Sequence, residues 1–202
     1  VDRDMETKPK VIIAVPVADA GYMKVLTAHA IGCTIIQYPE LIKDYIVRVS
    51  CDIVSSRTWL VNEAIKNGGT HILFVDSDMQ FMMSALGKLL AHDKEIVGTE
   101  YNKRQFPLEG VFKPMTERSE TDLYEAKYAG MGLMLIKLSI FDKEWVDPIN
   151  GKKVPYFNFG RDSKGNLAMG EDCWFSNAAR DMGFKTYIDP TIKVRHLGEY
   201  AY

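Results

Sequence analysis

His71-Ile72-Leu73-Phe74-Val75-Asp76-Ser77-Asp78 is the stretch on which the fold turns. Ile72 to Val75 are all apolar, as in a strand buried on both faces. The run then stops abruptly at two carboxylates. An open α/β sheet carries its ligand-binding residues at this point, beyond the carboxyl end of a strand. A spacing of two sets Asp76 and Asp78 on roughly the same side of an extended chain. Carboxylates held that close repel, and a hard divalent cation, Mg²⁺ or Mn²⁺, relieves the repulsion while still accepting phosphate oxygens. A solvated Asp-Ser-Asp turn is the plain alternative.

Upstream, Val11 to Val17 is a second continuous apolar run, and Pro16 is expected to end that strand. Residues 22–31 read as helix and 45–49 as strand. A helix capped by Ser55 or Ser56 runs to Asn67, where Gly68-Gly69 stops it. Downstream, a helix over 84–92 precedes a strand at 96–97. Residues 108–138 read as strands broken by polar turns, with 128–137 the clearest. Residues 150–168, rich in Gly, Lys, Asp and Asn, read as a mobile loop suited to close over a ligand. Gly170-Glu171-Asp172 opens a helix to Met182, terminated by Gly183, and strands follow at 185–188 and 192–195.

This alternation predicts an α/β fold, a mostly parallel central sheet flanked by helices with a smaller antiparallel β element. No repeat or linker divides the chain, so residues 1–202 read as one domain.

The 47% hydrophobic and 26% charged content excludes a disordered chain. A net charge of −2 offers no general attraction to nucleic acid or anionic lipid. Cys33, Cys51 and Cys173 are odd in number and form no CxxC pair, as expected of reduced thiols. No apolar run approaches the roughly 20 residues of a transmembrane helix, and the polar segment Val1–Lys10 is unlike a signal peptide. A soluble, cytoplasmic protein is the expectation; its oligomeric state stays open.

Two further features carry chemistry. Glu171 and Asp172 open a helix, where the dipole favours negative charge, so capping and general-base roles both fit. His196, in Val194-Arg-His-Leu-Gly198, is either an ordinary hydrogen-bonded histidine or an imidazole ligand for Mn²⁺.

In this order, over about Val11 to Gly198, these pieces resemble the GT-A glycosyltransferases, above all the large inverting family with many bacterial and viral members. The resemblance implies a nucleotide-binding half over about 10–100 and an acceptor and catalytic half over about 101–202, with Ala14, Val15 and Pro16 meeting the nucleotide. Ser56-Arg57, with Asn62 and Ala64, is similar to a family pattern whose Arg meets the nucleotide or its phosphates. It further implies that Asp76-Ser77-Asp78 is the family's DxD motif, the first Asp facing the ribose and the second the metal. Metal ligands are then drawn from Asp76, Asp78 and His196. Ala129-Gly-Met-Gly-Leu-Met-Leu-Ile136 is similar to the segment whose glycines, here Gly130 and Gly132, let backbone approach the sugar; a strand bulge is the simpler reading. Glu171-Asp172 matches the family's ED motif, with Asp172 the base and Glu171 a hydroxyl ligand. Tyr101-Asn-Lys-Arg104 resembles a loop near the donor.

The implied activity is metal-dependent transfer of a sugar from a nucleotide sugar, UDP-linked by analogy, to the hydroxyl of a glycan or other acceptor, with inversion. The alternatives are a catalytically weak nucleotide-sugar or glycan-binding module and a retaining transferase of the same fold. Haloacid dehalogenase-type phosphatases also place DxD after a strand, but with Thr or Val where this chain has Gln80. Sugar nucleotidyltransferases carry a Gly-rich, Arg-containing loop after the first strand, which Ala18-Asp-Ala-Gly-Tyr22 lacks.

Overall fold

The computed structural model describes residues 8–18, 21–115 and 117–198. The N-terminal segment before Lys8, over most of which the signal-peptide expectation falls, lies outside them.

The leading strand, β1 (Val11–Val17), is buried along its whole length. It pairs in parallel with β2 (Ile42–Val49) on one side and β3 (His71–Val75) on the other. Beyond β3 the sheet continues through β8 (Leu133–Lys137), β5 (Ile96–Thr99), β11 (Thr186–Asp189), β7 (Tyr124–Ala129) and β6 (Phe112–Pro114). β8 runs antiparallel to both β3 and β5, and β7 antiparallel to β11 and β6, so six of the eight strands share one direction. Two small antiparallel pairs complete the β structure: β9 (Gly160–Arg161) with β10 (Leu167–Met169), and β4 (Met79–Phe81) with β12 (Val194–His196). This is an α/β fold of GT-A-like class.

The two-residue period of the strands separates two cores. Ile12, Ala14, Ile72 and Phe74 face α2 (Ile53–Lys66) and α4 (Glu171–Asp181), whose Leu60, Val61, Ala64, Phe175 and Ala179 join the same cluster. Val11, Ile13, Val15, Leu73 and Val75 face α1 (Val25–Gln37) and α3 (Ala85–Ala91) through Ala30, Ile31, Leu86 and Leu89. Each large apolar side chain so buried contributes about 1.5–3 kcal/mol. Both layers therefore hold the central strands, and the loops at the strand ends are positioned by a rigid base.

Several expectations shift. Pro16 does not end β1: it pairs in register with Arg48 of β2, while β3 departs from β1 after Ala14. On that side no ladder partner is missed, so the absent N–H costs nothing there. α2 begins three or four residues earlier than expected and is capped by Asp52, whose carboxylate accepts from Val54 N–H at 3.0 Å and from the Ser55 hydroxyl. The helix expected at 22–31 is α1, displaced toward its C-terminal side. The single strand read over 128–137 is two strands, β7 and β8, separated at Gly130-Met131-Gly132.

The segment 150–168 is not one mobile loop. Phe157 is fully buried and stacks on Phe175 of α4 at 5.2 Å, Tyr156 donates its hydroxyl to Phe141 O at 3.1 Å, and Val154 N–H bonds Trp145 O. Trp145 and Phe141 extend the same aromatic stack beneath α4. Residues 150–153 and residues 161–168 of the β9–β10 hairpin stand exposed.

Candidate active site

The site lies at the carboxyl ends of β1 and β3, and four remote pieces of chain assemble it. Asp76 N–H donates to Gly132 O at 3.0 Å, which sets the DxD turn against the β7–β8 connection. Lys24 N–H donates to Ser77 O at 2.8 Å, tying the same turn to the start of α1. The chain then enters β4, whose Met79 lies opposite His196 of β12, and Leu197 N–H closes on Asp78 O at 2.7 Å. A histidine 118 positions away in sequence is brought to Asp78 by this short ladder.

Asp78 and His196 meet directly, with Oδ2 and Nε2 3.4 Å apart. His196 Nδ1 lies 3.0 Å from the backbone carbonyl of Asn102, which can only accept, so Nδ1 carries the proton. In the neutral ring Nε2 is then a bare lone pair beside a carboxylate, and the contact calls for a positive charge: a proton on Nε2 or a cation between the two. Burial depresses the imidazole pKa, but the bonds to Asp78 and Asn102 outweigh it and the net shift is upward. Burial likewise pushes Asp78 up, and His196 with Arg104 outweighs it, leaving Asp78 below its ordinary value. A divalent cation fits this donor set: one carboxylate oxygen and one imidazole nitrogen of fixed tautomer, oriented by an outer carbonyl. Among the described residues no group of three His, Cys, Asp or Glu side chains gathers for a metal. Asp76 turns elsewhere.

Asp76 Oδ1 takes a hydrogen bond from Arg57 Nη2 at 3.0 Å, and Arg57 Nε reaches Glu171 Oε1 at 3.3 Å. Arg57 is 2% exposed, with its guanidinium over the face of Phe74 at 5.3 Å. Arg57 is not a surface salt bridge: it forms the floor of the site, fastening the DxD turn to the first turn of α4. Burial raises the Glu171 pKa despite that ion pair. Asp172 is free of it. Its Oδ1 accepts its neighbour Cys173 N–H at 2.7 Å, and it raises the Cys173 thiol, already pushed up by burial, to about 12. Cys173 is thereby an inert thiol.

Tyr101 is a site residue that the sequence gives no signal for beyond its place in the 101–104 loop. It is 7% exposed, and its hydroxyl accepts Gly132 N–H at 2.9 Å. Burial and the charges of Asp76 and Asp172 raise its pKa well above the ordinary value, so it stays a neutral phenol. Tyr101 also explains the glycines. A Cβ on Gly132 would stand 2.8 Å from Tyr101 Cζ and from Met79 Cε, and one on Gly130 2.7 Å from Tyr101 Cζ. Gly132→Ala is accordingly expected to cost about 1–3 kcal/mol, measured as a lower urea midpoint at unchanged slope. An unchanged midpoint would show the ring to be movable.

Ala14 and Val15 are fully buried and point into opposite cores, and Pro16 is buried too. Their side chains face the protein interior. The structure thus brings Arg57, Asp76, Asp78, Glu171, Asp172 and His196 to one end of the sheet, with Gly130 and Gly132 packed beneath Tyr101.

The GT-A-like sheet thus carries carboxylates from the end of β3 and the start of α4 on one side of the fold. The crystal structure of A197 from STIV superposes with a TM-score of 0.66 at 16% identity, covering 94% of this chain and 86% of that one. At that identity the likeness is one of fold. A mannose-1-phosphate geranyltransferase from Thermus thermophilus aligns at a TM-score of 0.45 and 11% identity, over 67% of this chain and 61% of its own, too little to bear on the site. No protein-family model matches the sequence, nor does any curated protein. Among the described residues, no helix is long and apolar enough to cross a membrane.

Proposed function

We propose that this chain is a metal-dependent glycosyltransferase that moves a sugar from a nucleotide sugar, UDP-linked in the first instance, to an acceptor hydroxyl with inversion. What supports the reading is the approach of Asp78 to His196 together with Asp172, which, unlike its neighbour Glu171, makes no ion pair among the described residues. Mn²⁺ or Mg²⁺ held by Asp78 and His196 would neutralise charge gathering on the departing diphosphate.

The chain's own groups supply the rest. Asp172 accepts the proton of the acceptor hydroxyl as its oxygen bonds to the anomeric carbon, and the bond from that carbon to the diphosphate oxygen breaks. Arg57 engages Glu171 through Oε1, which leaves Asp172 as the carboxylate of the pair without an ion-pair partner among the described residues. Asp76, steadied by Arg57, would take the ribose-facing role of the first DxD carboxylate. Cys173 Sγ–H and Cys173 N–H both point to Asp172, which keeps the carboxylate oriented.

The test is a panel of nucleotide sugars with Mn²⁺, followed by calorimetry and by release of free nucleoside diphosphate with and without glycan acceptors. Binding that depends on Mn²⁺, with acceptor-stimulated release, is the expected result. Binding without product against every acceptor would recast the chain as a binding module, and product of retained anomeric configuration would reject direct displacement.

A further inference from the structure

Residues 103–109 are all exposed, yet from this loop Arg104 reaches back into the site. Its Nη1 lies 2.9 Å from Asp78 Oδ2, the same oxygen that faces His196. We infer that Arg104 is a counter-ion latch, holding Asp78 until a divalent cation takes that carboxylate and then turning its guanidinium onto the diphosphate of the nucleotide. The inference rests on the donor-site reading above.

A divalent cation would bring two further positive charges to the oxygen that Arg104 already contacts, and repulsion at this range favours the departure of the guanidinium. A cation at Asp78 and His196 therefore releases Arg104. The two arginines of the site differ in what they are free to do. The Arg57 side chain is 3% exposed and gripped by two carboxylates, whereas that of Arg104 is 49% exposed and, among the described residues, ion-pairs with Asp78 alone.

The loop's base is closed. Asn102 bridges Gly110, Lys103 N–H bonds Glu109 O at 2.8 Å, and the Lys103 ammonium pairs with Glu109 at 2.8 Å. Arg104 is thus delivered to the rim by a fixed stem and moves by rotation of its own side chain. Asn102, on the same stem, holds His196, so the loop serves both the ligand and the group that the cation displaces. A planar guanidinium released beside a bound cation matches two phosphate oxygens at once.

The two ligands are expected to respond in opposite directions. Titration calorimetry of Arg104→Gln with Mn²⁺ alone is expected to show binding roughly fivefold tighter than native, the scale of one partly exposed ion pair removed. With Mn²⁺ saturating, UDP or GDP is expected to bind at least about tenfold more weakly, for want of a charge-assisted hydrogen bond. Arg104→Lys, which keeps the charge, stays close to native for Mn²⁺ and loses part of the diphosphate affinity. Mn²⁺ affinity that is unchanged or weaker in Arg104→Gln overturns the latch, as does loss of both ligands together. Undiminished diphosphate binding in that variant, or native protein that takes neither UDP nor GDP, overturns its second half. Native protein that binds no Mn²⁺ removes the donor-site reading itself, and the two failures are told apart by that control.

Discussion

Asp172→Asn is expected to bind UDP and Mn²⁺ like the native chain and to transfer sugar about 10²–10⁴ times more slowly, the usual contribution of a positioned general base. Asn keeps the shape of Asp and still accepts the Cys173 N–H that Asp172 Oδ1 accepts at 2.7 Å. The local geometry of α4 therefore persists. The lost negative charge at the helix N-terminus costs no more than about 0.3–1 kcal/mol, so the variant folds. The choice of Asp172 over Glu171 follows from the clamp: Glu171 Oε1 is taken by Arg57 Nε, and Asp172 has no such partner. Turnover numbers and nucleoside-diphosphate affinities measured side by side decide the matter. Native-rate transfer by Asp172→Asn would eliminate it as the base, and a matching loss in Glu171→Gln but not in Asp172→Asn would move the role to its neighbour.

The second large effect concerns stability. Arg57→Met is expected to lower unfolding free energy by about 3–5 kcal/mol, because two carboxylates are left in a largely enclosed site without their counter-ion. Met retains much of the apolar stem that lies over Phe74, which limits the cavity contribution. Asp76 is 27% and Glu171 16% exposed at the side chain, so water reaches them only in part. The loss is expected to be smaller when Glu171→Gln is added, since one of the stranded charges is then gone; a double-mutant cycle measures that coupling. The pH dependence has a definite sign for Glu171. Burial raises its pKa in the folded chain, and Arg57 pulls it back. Removing Arg57 raises it further, so the Arg57→Met variant loses more stability as pH rises through that value than the native chain does. A variant as stable as the native protein, with the same pH profile, would show the clamp to be ornamental to folding.

The Arg57 clamp and the Arg104 latch assign different tasks to the same residue type. Arg57, buried under the turn, orients; Arg104, on an exposed loop, exchanges partners. Guanidinium groups at these two depths neutralise Asp76 and Asp78 separately, so the carboxylates of the DxD turn coexist without sharing one ion.

The amino-acid sequence by itself determined the elements that depend on short-range order. The apolar run at 71–75 ends at its carboxylates because four buried side chains and a polar turn are adjacent in the chain. β3 has the expected bounds, α4 starts at Glu171, and the helix–strand alternation of the first half persists. Glycines at 130 and 132 were legible as a special backbone site, though not as the bed of a tyrosine. The tertiary structure alone decided what crosses the sheet. β8 slots antiparallel between β3 and β5, β12 pairs with β4, Arg57 reaches Glu171 across 114 positions, and Arg104 folds back on Asp78. Periodicity, caps and turn residues act over a few positions along the chain. Which carboxylate receives which cation depends on strand order and loop register, set by the packing of two cores at once.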